Sequence, residues 1–192
     1  LREARISLGL DHPGIVHVLE SGEDHGFLYY TMEWVRGSNL RQWLADPHSQ
    51  QQKIQVLTEM VEAMAYAHSH QVLHRDLKPE NVVMQNGKPI IVDFGLALDS
   101  SSSRLTESHA VVGTLNYLSP ERLGGVGNDA RSDQYALGVM GYELFAGVSP
   151  FPIASAGEAI MYRLTEKPEP LVQLVGRDTF WARVVDRMMA QD

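Results

Sequence analysis

The sequence predicts an α+β fold in which helices outweigh strands, and three observations carry that reading. Apolar residues recur at spacings of three and four over Ile54, Leu57, Val61, Met64 and Ala67, the signature of an amphipathic helix. Val82-Val83-Met84 and Ile90-Ile91-Val92 flank Asn86-Gly87, a two-residue hairpin signal. Tyr135, Ala136, Leu137, Val139, Met140, Tyr142, Leu144 and Phe145 make one helix apolar nearly all round, so it belongs at the centre of the molecule.

The elements follow in order. Leu1 to Leu10 reads as a helix, ended by the break Asp11-His12-Pro13-Gly14. Ile15 to Leu19 and Phe27 to Val35 read as strands joined by the polar turn Ser21-Gly22-Glu23-Asp24-His25-Gly26. Gly37-Ser38-Asn39 opens a short helix around Leu40, Trp43 and Leu44, and the amphipathic helix and the hairpin come next. Ala97 to Val111 is Ser-rich and without period, the mark of a functional or disordered segment. Ser132 is the expected cap of the apolar helix, which Gly147 and Pro150 end. Two further helices are expected near Ala156–Thr165 and Asp178–Gln191. There is no internal repeat.

Composition narrows the classes of function. A chain of 192 residues with 44% hydrophobic and 21% charged residues is an ordinary globular domain, or a large piece of one. A formal net charge of −8 argues against a nucleic-acid or anionic-membrane partner, since both need a basic patch. Every apolar run is interrupted by Arg, Glu, Gly or Pro before it could span a bilayer, and no signal peptide opens the chain, so the expected location is cytoplasmic. The absence of cysteine excludes disulfides, thiolate metal sites and cysteine nucleophiles.

The chemistry is concentrated in His74-Arg75-Asp76-Leu77-Lys78-Pro79-Glu80-Asn81, between the amphipathic helix and the hairpin, and in Asp93-Phe94-Gly95 at the hairpin's end. Phosphoryl transfer from a nucleotide needs magnesium held by oxygen ligands, which Asn81 and Asp93 can supply. It needs an acceptor for the substrate's hydroxyl proton, which Asp76 can be, and a cation near the travelling phosphate, which Lys78 can be.

At these residues the chain resembles the protein kinase superfamily, and the resemblance extends along its whole length. It implies a kinase-like fold: a mostly helical C-lobe over residues 36–192, plus the helix, two strands and hinge of a partial N-lobe over residues 1–35. Gly113-Thr114-Leu115-Asn116-Tyr117-Leu118-Ser119-Pro120-Glu121 looks like the end of an activation segment, with Ser119 where Ala is commoner. Ser132-Asp133 resembles the start of the central helix, whose Asp grips the catalytic-loop backbone. Met32-Glu33-Trp34-Val35 looks like the hinge, with Met32 as gatekeeper, the Glu33 carbonyl and Val35 amide as adenine partners, and Val83 as the pocket floor. Asn39 and Glu80 are the remaining nucleotide-side candidates. Glu3 resembles the helix Glu that pairs with the nucleotide-binding Lys, and Thr114 would link the substrate pocket to Asp76 and Lys78. Lys78 with Thr114 marks the Ser/Thr subclass. Asp-His-Pro-Gly-Ile-Val and Gly-Thr-x-x-Tyr-Leu-Ser-Pro-Glu are similar to bacterial receptor-type Ser/Thr kinases.

The resemblance implies ATP with Mg2+, or Mn2+, as cofactors, a protein carrying a Ser or Thr acceptor as substrate, and a kinase dimer for autophosphorylation in trans. Arg75 would meet a phosphate on Thr106 or Ser108. A plainer reading makes Ser100–Ser103, Thr106 and Ser108 a soluble loop. The chain also departs from the pattern. No Gly-rich phosphate loop or strand Lys occurs in it, so Glu3 is expected to lack its partner and the 192 residues alone to be nearly inactive. The Arg that usually pairs with the Glu of the Ser-Pro-Glu motif is expected just beyond Asp192, leaving Glu121 alone. A pseudokinase or interaction module is the alternative, against which intact Asp76, Asn81 and Asp93 argue. Metal binding by His68, His70 and His74 lacks a completing carboxylate or cysteine.

Overall fold

A computed structural model describes residues 9–94, 115–125, 129–151, 156–176 and 179–190. The architecture is α+β: two small antiparallel sheets beside a helical body. The strands are β1 (Val18–Asp24), β2 (Phe27–Met32), β3 (Ser38–Asn39), β4 (Val82–Gln85) and β5 (Lys88–Ile91). The helices are α1 (Leu40–Trp43), α2 (Gln50–Ser69), α3 (Pro120–Leu123), α4 (Ala130–Ala146), α5 (Ala156–Thr165), α6 (Leu171–Leu174) and α7 (Phe180–Met188), with a 3-10 turn at Pro79–Asn81.

In the first sheet β1 runs antiparallel to β2, from Val18 opposite Met32 to Asp24 opposite Phe27. The expected six-residue polar turn is in fact two residues, His25-Gly26, both at positive φ (48° and 81°). That is the hairpin geometry whose twist matches the strands, and it lets the polar stretch Ser21–Asp24 pair as strand. Leu19, Phe27, Tyr29, Met32 and Trp34 are exposed on this sheet and the segment after it.

The second sheet has the order β3-β4-β5, with Ser38 opposite Met84 and Val82 opposite Ile91. Asn86 and Gly87 make its tight turn at φ 52° and 78°, as their sequence predicts. Ile15, expected in a strand, instead forms a single parallel bridge to Ile91. The N–H of Val16 donates to the Ile91 carbonyl at 2.9 Å, and the N–H of Ile91 to the Gly14 carbonyl at 2.8 Å. These bonds tie the segment before β1 to the second sheet.

The helical body forms around α4, the apolar pillar. Its cap is Asp129 rather than Ser132, because Asp129 accepts the Arg131 N–H at 2.8 Å and leaves Ser132 buried one turn inside. Gly147 ends it in the left-handed conformation, φ 73°. α2 buries Val56, Leu57, Met60, Ala63, Met64 and Ala67. Its inner stripe is therefore wider than the expected one, while Ile54 and Val61 lie at its margin. α5 has the expected bounds, and α7 is shorter than expected because Thr179 caps it by accepting the Ala182 N–H. The reading of Leu1 to Leu10 as a helix falls, but for its last two residues, outside the described residues.

Candidate active site

The loop between α2 and the 3-10 turn is held from below by the pillar. Asp133, 2% exposed on α4, accepts the N–H groups of His74 at 2.8 Å and Arg75 at 2.9 Å, and lies 2.9 Å from the His68 ring. Burial by itself would raise the Asp133 carboxyl, but the His68 ring and these two N–H groups outweigh it and hold it below the usual carboxylate range. The expected grip of a helix-borne Asp on the loop is therefore present. It supports Arg75 in the left-handed region, φ 68°, where a non-glycine residue is strained. The Arg122 guanidinium donates to the Arg75 carbonyl and closes the loop from the α3 side.

The constrained loop brings three of the predicted residues together. Lys78 Nζ donates to Asp76 Oδ2 at 2.7 Å, and Asn81 Nδ2 donates to the Asp76 carbonyl at 2.8 Å and to Oδ2 at 3.3 Å. The Asp76 carboxylate keeps 36% of its surface exposed, so one oxygen is organised by the loop while the group still reaches the cleft. Both Asn81 bonds use the amide nitrogen, which leaves the amide oxygen to face a ligand.

Asp93 joins them across the hairpin. The Val92 N–H donates to the Asn81 carbonyl at 2.9 Å, setting Asp93 next to Asn81. Asp93 is at φ 60°, and the Phe94 ring packs 4.8 Å from the His74 ring. An amide oxygen and a carboxylate are hard-oxygen groups that could hold magnesium, which takes one or two protein ligands and fills its octahedron from phosphates and water. Among the described residues no three His, Asp or Glu side chains gather as an all-protein metal site. The three histidines have other tasks: His68 binds Asp133, His70 bonds the Tyr66 carbonyl at 2.8 Å, and His74 is fully buried.

The hinge candidates lie on the chain leaving β2. Met32 ends the strand, 37% exposed, and the Glu33 N–H donates to the His17 carbonyl at 3.0 Å, while Val35 is half-buried. Val83 pairs with Ile90 and Asn39 in the second sheet. The Asn39 side chain caps α1, accepting the Gln42 N–H at 2.9 Å. Glu80 pairs with Arg41 at 3.3 Å. Glu121, expected to stand alone, accepts the Ser132 hydroxyl at 2.9 Å. Glu3, Thr106, Ser108 and Thr114 lie outside the described residues.

Two features escape a reading of the sequence. Tyr30 donates to Asp93 Oδ1 at 2.6 Å across 63 residues. Burial, with Asp93 beside it, pushes the Tyr30 phenol well above its ordinary value, so it stays protonated. The available signal was the Tyr29-Tyr30 pair, since alternation must send one of two adjacent strand residues inward. The second is a polar cluster beside the loop. Arg41 reaches Glu80, Glu143 at 3.1 Å and the Tyr117 hydroxyl, and Tyr117 donates to Glu143 at 2.8 Å. Its members are spread over 102 residues of chain and carry no local pattern.

Asp76, Lys78 and Asn81 converge on one loop of the helical body, and the hairpin carries Asp93 back toward that loop. Residues 1–179 match the family described as the protein kinase domain, and the chain belongs to that family. It is 37% identical over 158 residues to the serine/threonine-protein kinase PrkC of Bacillus subtilis, covering 81% of this chain and 24% of that protein. It is 34% identical over 201 residues to the serine/threonine-protein kinase PknJ of Mycobacterium bovis, covering all of this chain and 34% of the relative. PknB of Mycolicibacterium smegmatis is 37% identical over 179 residues, 88% of this chain and 28% of that protein. The chain thus spans about a quarter to a third of the length of these curated relatives.

Proposed function

We propose that the protein is an ATP-dependent Ser/Thr protein kinase, in which residues 1–35 contribute to the N-lobe and residues 36–192 form the C-lobe. The observation that carries this reading is the convergence of Lys78 and Asn81 on Asp76, with Asp93 set beside Asn81. Asp76 orients the acceptor hydroxyl and takes its proton as the new O–P bond forms and the bond to ADP breaks. Lys78, already 2.7 Å from Asp76, places its charge where the phosphoryl group passes. The Asn81 amide oxygen and the Asp93 carboxylate would hold magnesium, or manganese, which neutralises the charge that develops on the phosphates. Met32, Glu33, Val35 and Val83 border the adenine side, with Asn39 and Glu80 toward the ribose.

The substrate is a protein presenting a Ser or Thr hydroxyl, and the relatives named as serine/threonine-protein kinases support that class. Phosphates on Thr106 or Ser108, placed by partner kinase molecules in a dimer, would dock on Arg75. The domain would act on the cytoplasmic side. Among the described residues no helix is long and apolar enough to cross a membrane.

The test is Asp76→Asn in the intact protein. Removing a positioned general base is expected to lower kcat by about 10²–10⁴-fold. ATP affinity measured by calorimetry should stay within about twofold, because Asp76 acts on the acceptor rather than the nucleotide. Turnover close to wild type would remove Asp76 from this role. A wild-type protein that binds ATP without transferring phosphate would favour a binding module.

A further inference from the structure

We propose that Tyr30 is a positioning residue for Asp93, its hydroxyl fixing the direction in which that carboxylate presents its free oxygen to a magnesium nucleotide. This rests on the reading of Asp93 as a metal-holding residue.

The alternation of β2 separates the two adjacent tyrosines. Tyr29 turns to solvent, 42% exposed, with its hydroxyl on Glu20 at 3.2 Å. Tyr30 takes the opposite face, is half-buried, and crosses from the first sheet to the residue that follows the second. Its 2.6 Å bond is as short as charge-assisted O–H···O⁻ bonds become.

The geometry assigns the two oxygens of Asp93 different tasks. Oδ1 accepts the phenol, and Oδ2 keeps its lone pairs for a cation, since an ionised carboxylate offers about four acceptor sites. Asp93 also needs an outside hold. Its φ of 60° is a strained direction for a non-glycine residue, and its neighbours fix only its backbone, through Val92 on Asn81 and Phe94 against His74. A carboxylate free to rotate must be ordered each time metal binds, whereas one held by Tyr30 is ordered beforehand.

The experiment is Tyr30→Phe in the intact kinase, with Tyr29→Phe as a companion, reading the affinity for ADP by calorimetry with and without Mg2+. The phenylalanine keeps the ring and removes only the donor. Tyr30→Phe is expected to weaken Mg2+-dependent ADP binding by about tenfold, the size of one hydrogen bond to a charged group. Metal-free ADP affinity should stay within about twofold, and Tyr29→Phe should leave both affinities unchanged. Equal loss with and without metal, or no loss at all, would overturn the assignment. Asp93→Asn separates this reading from its foundation. Magnesium dependence lost in Asp93→Asn but retained in Tyr30→Phe refutes Tyr30 alone, whereas wild-type ADP affinity indifferent to magnesium refutes the metal site and Tyr30 with it.

Discussion

Each nitrogen of the His74 ring has one task. Nδ1 accepts the Asp76 N–H at 3.3 Å, so Nε2 carries the hydrogen and donates to the Val92 carbonyl at 2.9 Å. A second proton would have to sit on Nδ1, facing a donor. Complete burial pushes the ring below its ordinary value, and the nearby carboxylates only partly offset that. The native state thus keeps His74 neutral while the unfolded chain protonates near pH 6.5. Stability from this group is present above that pH and declines as pH falls through it, by up to about 1.4 kcal/mol per unit. Urea midpoints of the intact protein at pH 7.5 and 5.5 should differ accordingly. His74→Phe, though less stable at pH 7.5, should show the smaller difference. At this scale the sequence was informative where spacing is local: Asp76, Lys78 and Asn81 lie within six residues of one another, and one loop brings their side chains into contact.

Among the elements, α4 is packed closely on both sides at its glycines. A Cβ at Gly141 would lie 2.8 Å from Val185 Cγ2 on α7 and 3.3 Å from Leu57 Cδ2 on α2. The two neighbouring helices therefore come closest to the pillar backbone where it has no side chain. Gly141→Ala gains about 1 kcal/mol of helix propensity. It also forces the packed side chains apart, for about 1–3 kcal/mol. The expected outcome is a lower urea midpoint for the intact protein than in the wild type, with an unchanged slope, despite the better helix former. Hydropathy marked α4 as buried all round, and the Asn86-Gly87 pair marked its hairpin. The sequence misjudged the cap of α4 and the length of β1. Asp129 and Ser132 are both good caps, but packing commits the Ser132 hydroxyl to Ser119 and Glu121. The polar residues of β1 pair because β2 lies alongside, which no single segment encodes.

Across the molecule, Arg41 joins segments that are far apart in the chain. It links α1 to Glu80 of the 3-10 turn, to Tyr117 before α3, and to Glu143 on α4. Burial pushes the Glu143 carboxyl up, and Arg41 and Tyr117 act against that shift. Arg41→Ala leaves a carboxylate 7% exposed with one partner fewer. Because the Arg41 side chain is itself 43% exposed, the loss is expected near the low end for a buried charge, about 1–3 kcal/mol. In Arg41→Ala with Glu143→Gln the charge that needed Arg41 is gone. The double variant should therefore be more stable than the sum of the single losses predicts, a coupling that denaturant unfolding of all four proteins measures.

The family, the α+β balance, the loop holding Asp76, Lys78 and Asn81, and the hairpin after it are all legible in the sequence, because these depend on residues close together or on period along one element. Tertiary packing is what brings Tyr30 to Asp93 and Arg41 to Glu143, across 63 and 102 residues of chain. Such contacts depend on how separate elements pack, and burial makes a polar group take whatever partner the packing brings within reach.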